Sequence, residues 1–235
     1  MPKKKKSNVI GTTAALAKLD RMMPILEKNI LGVVKIKSTL EVGNATVLDM
    51  PNTDIPGAGA YNTIKESLSF DLAMHLARLF DRGSGRYHAN HKDVASIPLM
   101  MRLLRQKRCR RALADRARTR DCDLADLFER DCLKFIEKAS AAFSATFRGK
   151  FGQSGLKRLK IARDHHFAHS LMSNEKLDVI YNQGFRLADC ACNIMDSASI
   201  AITGKALEFD QVKQHFREEA KEFWNRALLG KVAAK

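Results

Sequence analysis

Residues 61–80 read YNTIKESLSFDLAMHLARLF, and the spacing inside this stretch decides the fold class. Ile64, Leu68, Leu72, the pair His75/Leu76 and Leu79 recur every three or four positions, which lines them along one stripe of a helix. A strand needs alternation at every second position, and that pattern is nearly absent from the whole chain. Arg82-Gly83-Ser84-Gly85 stops the helix, because glycine gives up the most backbone freedom on becoming helical. On the other side, Asp49 to Gly59 (DMPNTDIPGAG) combines two prolines, two glycines, two aspartates and an asparagine, which is turn chemistry.

The same reading extends in both directions. Residues 13–42 carry Leu16, Leu19, Met22/Met23, Leu26, Ile30, Val33/Val34 and Leu40 at helical spacing, with Pro24 either starting that helix or kinking it. Asp93 or Ser96 is placed to cap a helix that runs through Leu104 into an arginine-rich stretch. Asp121 or Asp123 is placed to cap the next one, which reaches Phe147. Phe151-Gly152-Gln153-Ser154-Gly155 reads as a break, after which Ser154 caps a helix over about 156–172. Ser173 or Asn174 begins a long helix that Gly204 ends, and a last amphipathic helix covers 209–229. No internal repeat is present. The expectation is an all-α protein, an antiparallel helical bundle forming a single domain over 12–235. Loops are expected near 49–60, 82–92 and 148–155, and residues 1–11 form a flexible basic arm.

Charge is distributed unevenly. The chain has 235 residues and a net charge of +15, and residues 102–120 (RLLRQKRCRRALADRARTR) hold nine basic side chains against the single carboxylate of Asp115. Lys3 to Lys6 supply four more cations. Charge concentrated in one segment attracts phosphates and releases their counterions. Arg102, Arg105, Lys107, Arg108, Arg110 and Arg111 are therefore candidate nucleic-acid-binding residues, with acidic protein or lipid headgroups as the other polyanions such a run could meet. Lys157 and Lys160 join them from the following helix. No aromatic residue interrupts the run, so it is expected to grip the nucleic-acid backbone without reading bases. The lysines at the start are followed by residues too polar for a signal peptide, and no stretch of eighteen apolar residues is present, so a cytoplasmic protein without a membrane span is expected.

Several chemistries find no support. The five cysteines have neither disulfide nor zinc-knuckle spacing. Gly57-Ala58-Gly59 lacks a preceding strand and a following Gly-Lys-Ser, so it is no phosphate loop, and no nucleophile elbow occurs. Asp121, Asp123 and Asp126 cluster at a helix start, where the macrodipole accounts for them. The segment Arg163-Asp164-His165-His166-Phe167-Ala168-His169 carries more information. His165 and His169 are four apart and His166 and His169 three apart, spacings that can hold zinc, but the glutamate of a metalloprotease helix is missing. No metal and no cofactor are expected. An arginine and a histidine acting together on a phosphate need neither: imidazole moves protons near neutrality and guanidinium is a permanent bidentate phosphate donor.

Arg163-x5-His169 resembles the R-x4-6-H motif of HEPN domains, with the polar residue the family favours, Asp164, directly after the arginine. LKRLKIARDHHFAHS is similar to the corresponding helix of abortive-infection HEPN proteins, and the order of helices agrees. Arg82/His88, Arg86/His91 and Arg158/His165 have compatible spacing too. The first two lie in the glycine-broken stretch, and Arg158 is followed by apolar Leu159. The resemblance implies a metal-independent endoribonuclease of the toxin or phage-defence type. In it Arg163 anchors the phosphate, His169 is general acid or base, and Asp164 orients one of them. It also implies a homodimer. On one straight helix, six residues set Arg163 and His169 roughly 120° apart and about 9 Å along the axis, which does not converge them neatly; the resemblance implies that two such helices pair across a dimer axis to do so. RNA is the expected partner, with a cognate antitoxin as a further one. The alternative is a non-catalytic helical module that binds nucleic acid or an antitoxin through residues 102–120. A metal-dependent hydrolase using the histidines is the third reading.

Overall fold

A computed structural model describes residues 10–50, 57–82, 93–162 and 181–230, and the protein is all-α. Among these residues eight helices follow one another: α1 Thr12–Leu48, α2 Ala58–Leu79, α3 Ile97–Leu104, α4 Lys107–Arg118, α5 Ala125–Arg148, α6 Lys150–Ala162, α7 Tyr181–Thr203 and α8 Phe209–Leu229. The organising element is α1. Its apolar positions, Leu19, Met23, Leu26, Ile30, Val33 and Leu40 among them, are almost wholly buried, and α2, α3, α4, α7 and α8 all pack on it. Pro24 lies inside this helix and is exposed, so the carbonyl it leaves without an intrahelical donor is on the side open to water. The helix continues through it to Leu48, beyond the expected end at residue 42.

Two glycines let neighbours approach α1 closely. A Cβ at Gly32 would stand 2.8 Å from His75 Cε1 of α2, and one at Gly43 would stand 2.8 Å from the Trp224 ring of α8. Trp224 is almost fully buried there, donates from Nε1 to the Thr39 carbonyl at 2.9 Å, and meets the Tyr61 ring edge-on at 5.3 Å. Across α1 the core continues through α7 (Leu187, Ala191, Ile194, Met195) to Ile136 and Ala139 of α5. Between α1, α7 and α8, Lys37 bonds Asp189 at 2.6 Å, and Glu41 takes Arg217 at 3.0 Å.

Several local expectations are corrected. The break expected over 148–155 is a single residue, Gly149; α6 is already helical at Lys150, and Ser154 stands inside it rather than at its cap. The glycines read as a break serve contact. A Cβ at Gly152 would collide with the Thr146 carbonyl oxygen, and one at Gly155 would press to 3.1 Å against Leu187 Cδ1. The arginine-rich stretch does not continue α3: Arg105 and Gln106 separate it, and it forms its own helix, α4. Ser96 stands at the N-cap of α3 without making the cap bond. Pro98, in the first turn, lacks one of the N–H groups such a bond uses, and the Ser96 hydroxyl is buried without a partner among the described residues. Neither Asp121 nor Asp123 caps α5; Leu124 holds that position, and Asp121 Oδ1 instead accepts from the Asp123 N–H at 2.9 Å. Gly57, in left-handed backbone, leads into α2, so the expected loop near 49–60 ends slightly earlier. Residues 51–56 and 83–92, within two expected loops, and 1–9, within the expected arm, lie outside the described residues.

Candidate nucleic-acid interface

The arginines of 102–120 are mostly committed to the fold. Arg116 grips both carboxylate oxygens of Asp20 on α1 from Nη1, at 3.0 and 2.9 Å, and donates from Nη2 to the Ile202 carbonyl at 2.7 Å. Arg120 reaches the same carbonyl at 3.2 Å. Two cations therefore close the C-terminal turn of α7, where unpaired carbonyls and the negative end of the helix dipole favour them. Gly204, at φ 80°, ends α7, and a Cβ there would collide with the Arg120 guanidinium at 2.5 Å. Arg118 pairs with Glu129 (2.6 Å) and Asp126 (3.2 Å), and Arg110 with Glu137 (2.8 Å), all on α5. Arg108 turns to Gln106 Oε1. Of the remaining candidates on this run, Arg102, Lys107 and Arg111 are exposed.

Arg105, at the corner between α3 and α4, behaves differently. Its Nη2 donates to the Ser140 carbonyl and to Ser144 Oγ, both at 2.7 Å, and its guanidinium lies 4.8 Å from the centre of the Phe143 ring. Phe143 stacks on Phe147 at 4.3 Å, and the far side of that pair is covered by Arg82, 5.0 Å from the Phe147 centroid. Burial first, and then the like charge of Arg148, push the Arg105 guanidinium below its usual range, although it stays protonated at neutral pH. Thus Arg82, just beyond α2, and Arg105 lie on the two phenylalanines, Arg148 is close enough to Arg105 for their like charges to oppose each other, and all three are exposed.

Helix α6 continues this surface. Lys150, Lys157 and Lys160 share one face by helical spacing and are exposed, while Gly152, Gly155, Leu156 and Leu159 turn inward. No Asp or Glu occurs between Glu137 and Asp164. Among the described residues no carboxylate pairs with these lysines, with exposed Arg158 or with Arg148. Sequence reasoning found Lys157 and Lys160 but missed Arg148 and Lys150; the absence of acids over this span was the available signal.

Arg163, Asp164 and His169, together with His165 and His166, lie outside the described residues. They follow α6 directly in the chain. The described histidines have structural settings. Burial pushes the His75 imidazole down, against an opposing pull from Asp71, and its Nδ1 lies 3.3 Å from Asn29 Oδ1. His215 is exposed beside Glu219. All five cysteines are free thiols. Cys192, beside the charged cleft of about 210 Å³ between α1, α7 and α8, is pushed by burial up to about 11, so it carries no thiolate at neutral pH. Among the described residues no group of three His, Cys, Asp or Glu side chains could hold a metal, and no helix is long and apolar enough to cross a membrane.

A family model described as HEPN_AbiU2 (AbiU2) matches residues 54–223, nearly three quarters of the chain. No curated protein and no solved structure matches it.

Proposed function

Because this chain belongs to the HEPN_AbiU2 family, an abortive-infection type of HEPN protein, we propose that it is a metal-independent endoribonuclease acting as a homodimer. The observation that carries the reading is the block Arg163-Asp164…His169, which falls inside the matched span and follows a basic, acid-free helix. In the proposed reaction a ribose 2′-OH attacks the adjacent phosphorus and the P–O5′ bond breaks. The products are a 2′,3′-cyclic phosphate and a 5′-hydroxyl. A base takes the 2′-OH proton and an acid supplies one to O5′; His169 fills one of these roles. Arg163 holds the phosphate as charge builds on its oxygens, and Asp164 orients Arg163 or His169. Pairing two such segments across a two-fold axis brings the groups to one phosphate. Exposed Lys107, Arg111, Lys157 and Lys160, together with Arg102 and Arg105, draw the RNA backbone in. Arg108 and Arg110 contribute to the same field from positions already bonded to Gln106 and Glu137.

The test is incubation with single-stranded RNA in EDTA. Wild-type protein is expected to cut, and His169→Ala to lose at least about a hundredfold in rate. DNA of the same sequence should stay intact, since it has no 2′-OH. Cleavage that requires added metal, or that survives the substitution, rejects the mechanism. Salt-sensitive RNA binding with no turnover selects the alternative, a binding module for nucleic acid or an antitoxin.

A further inference from the structure

The cleft of about 210 Å³ between α1, α7 and α8 is lined by a chain of four alternating charges. Asp189 takes Lys37 at 2.6 Å, Lys37 lies 3.5 Å from Glu41, and Glu41 takes Arg217 at 3.0 Å. These four sum to zero. Lys213, on α8, is a further charged group lining the same cleft. Among the described residues the acid within ion-pair range of it is Asp210, 3.7 Å away, fully exposed and outside the cleft. That contact is too long for a hydrogen bond, and solvent screens it. The cleft therefore keeps one positive charge that no group lining it balances. A second observation points into the same space. Ser38, on α1, lines the cleft and is only 3% exposed. A hydroxyl inside a helix commonly bonds the carbonyl four residues back, as Thr39 does to Lys35 and Thr46 to Val42, both at 2.9 Å. The Ser38 hydroxyl makes no such bond, nor any other among the described residues. A buried hydroxyl without a partner is costly, so an occupant that offers it an acceptor is favoured.

We propose that this cleft binds a small organic monocarboxylate, its carboxylate held by Lys213 and Ser38 and its short hydrocarbon body against Val34, Ala188 and Cys192. One negative charge matches the one positive charge left over. A phosphomonoester, at about −1.5 to −2 near neutrality, would overshoot that balance in front of Glu41 and Asp189. Lys213 offers three ammonium donors and Ser38 one hydroxyl donor, and a carboxylate has two oxygens to receive them. The volume sets the size. At about 30 Å³ per water the cleft has room for about seven waters, enough for a ligand of roughly six to eight non-hydrogen atoms and too little for a nucleotide. An occupant would touch all three helices at once, so it would bind the folded chain and not the unfolded one. The inference does not depend on the ribonuclease reading.

The experiment titrates butyrate into the full chain by isothermal calorimetry, in a carboxylate-free buffer at fixed ionic strength. Wild type is expected to bind one equivalent with a Kd on the order of 1 mM, as suits so small a ligand. Butyramide, which keeps the shape and loses the charge, should bind at least about tenfold more weakly, and inorganic phosphate more weakly than butyrate. Lys213→Met is expected to weaken butyrate about tenfold, and Ser38→Ala about threefold to fivefold. Ser38→Ala should lose this affinity without a lower melting temperature in the free protein, because the hydroxyl it removes has no described partner in the fold. Lys134→Gln, which removes an exposed cation from α5, should bind butyrate as wild type does. Should Lys213→Met melt early, Lys213→Arg, which keeps the charge, is expected to stay within about threefold of wild type, and the contrast between butyrate and butyramide on wild type still decides. Absence of saturable heat overturns the proposal. So does equal affinity for butyrate and butyramide, tighter binding of phosphate, or a loss in Lys134→Gln as large as that in Lys213→Met.

Discussion

Helices α4 and α6 are both short, basic and packed against α5, yet they use their charge in opposite ways. The cations of α4 look across at Glu137, Glu129, Asp126 and Asp20 and at the carbonyl end of α7, and most are consumed there. Those of α6 look at no carboxylate among the described residues. The density of positive charge along a sequence therefore does not locate an anion site. What locates it is where the acids that would neutralise the charge are missing. By that criterion the longer run is chiefly a set of clamps, and the smaller one is the surface on which the proposed RNA contact rests.

Substitutions separate the two roles. The largest stability loss is expected at Gly152→Ala, whose added methyl would drive into the Thr146 carbonyl where α5 turns into α6; a destabilisation of about 3 kcal/mol should appear in thermal or urea melts. Arg116→Ala comes next. It removes the forked grip on Asp20 and one of two donors to Ile202, in a half-exposed setting that limits the loss to about 1–2 kcal/mol. The salt dependence of RNA binding should not change in that variant. Lys157→Gln/Lys160→Gln should reverse the pattern: stability within about 0.5 kcal/mol of wild type, but a binding slope smaller by about 1.4. The smallest effect belongs to Arg111→Gln, exposed on α4: stability again within about 0.5 kcal/mol and, for one cation lost from the field that draws RNA in, a binding slope smaller by about 0.7. A large stability loss in the lysine pair, or a large loss of RNA binding in Arg116→Ala, would erase the distinction between the helices.

Local pattern made much of the fold readable. The last helix was legible at both ends, Phe209 and Leu229, because its apolar stripe is regular and a left-handed glycine, Gly230, follows it. Gly204 was legible for the same reason. Gly152 and Gly155 were not, since a glycine that breaks a helix and one that admits a neighbouring helix look alike until the neighbour is known. Nor was the fate of the arginines: Arg116 and Asp20 are separated by 96 positions, and no spacing rule reaches that far. The proposed catalytic block was legible as a local spacing. The Arg82–Phe147 contact was not, because it exists only once α2 and α5 have met.

Trp224 covers Gly43, and Tyr61 packs against the same indole. One aromatic plug thus joins the last helix to the first two. The indole's bond to Thr39 spans 185 positions, so closing the far end of α1 means bringing together distant parts of the chain, and the loop-closure entropy of that step falls on this one aromatic plug.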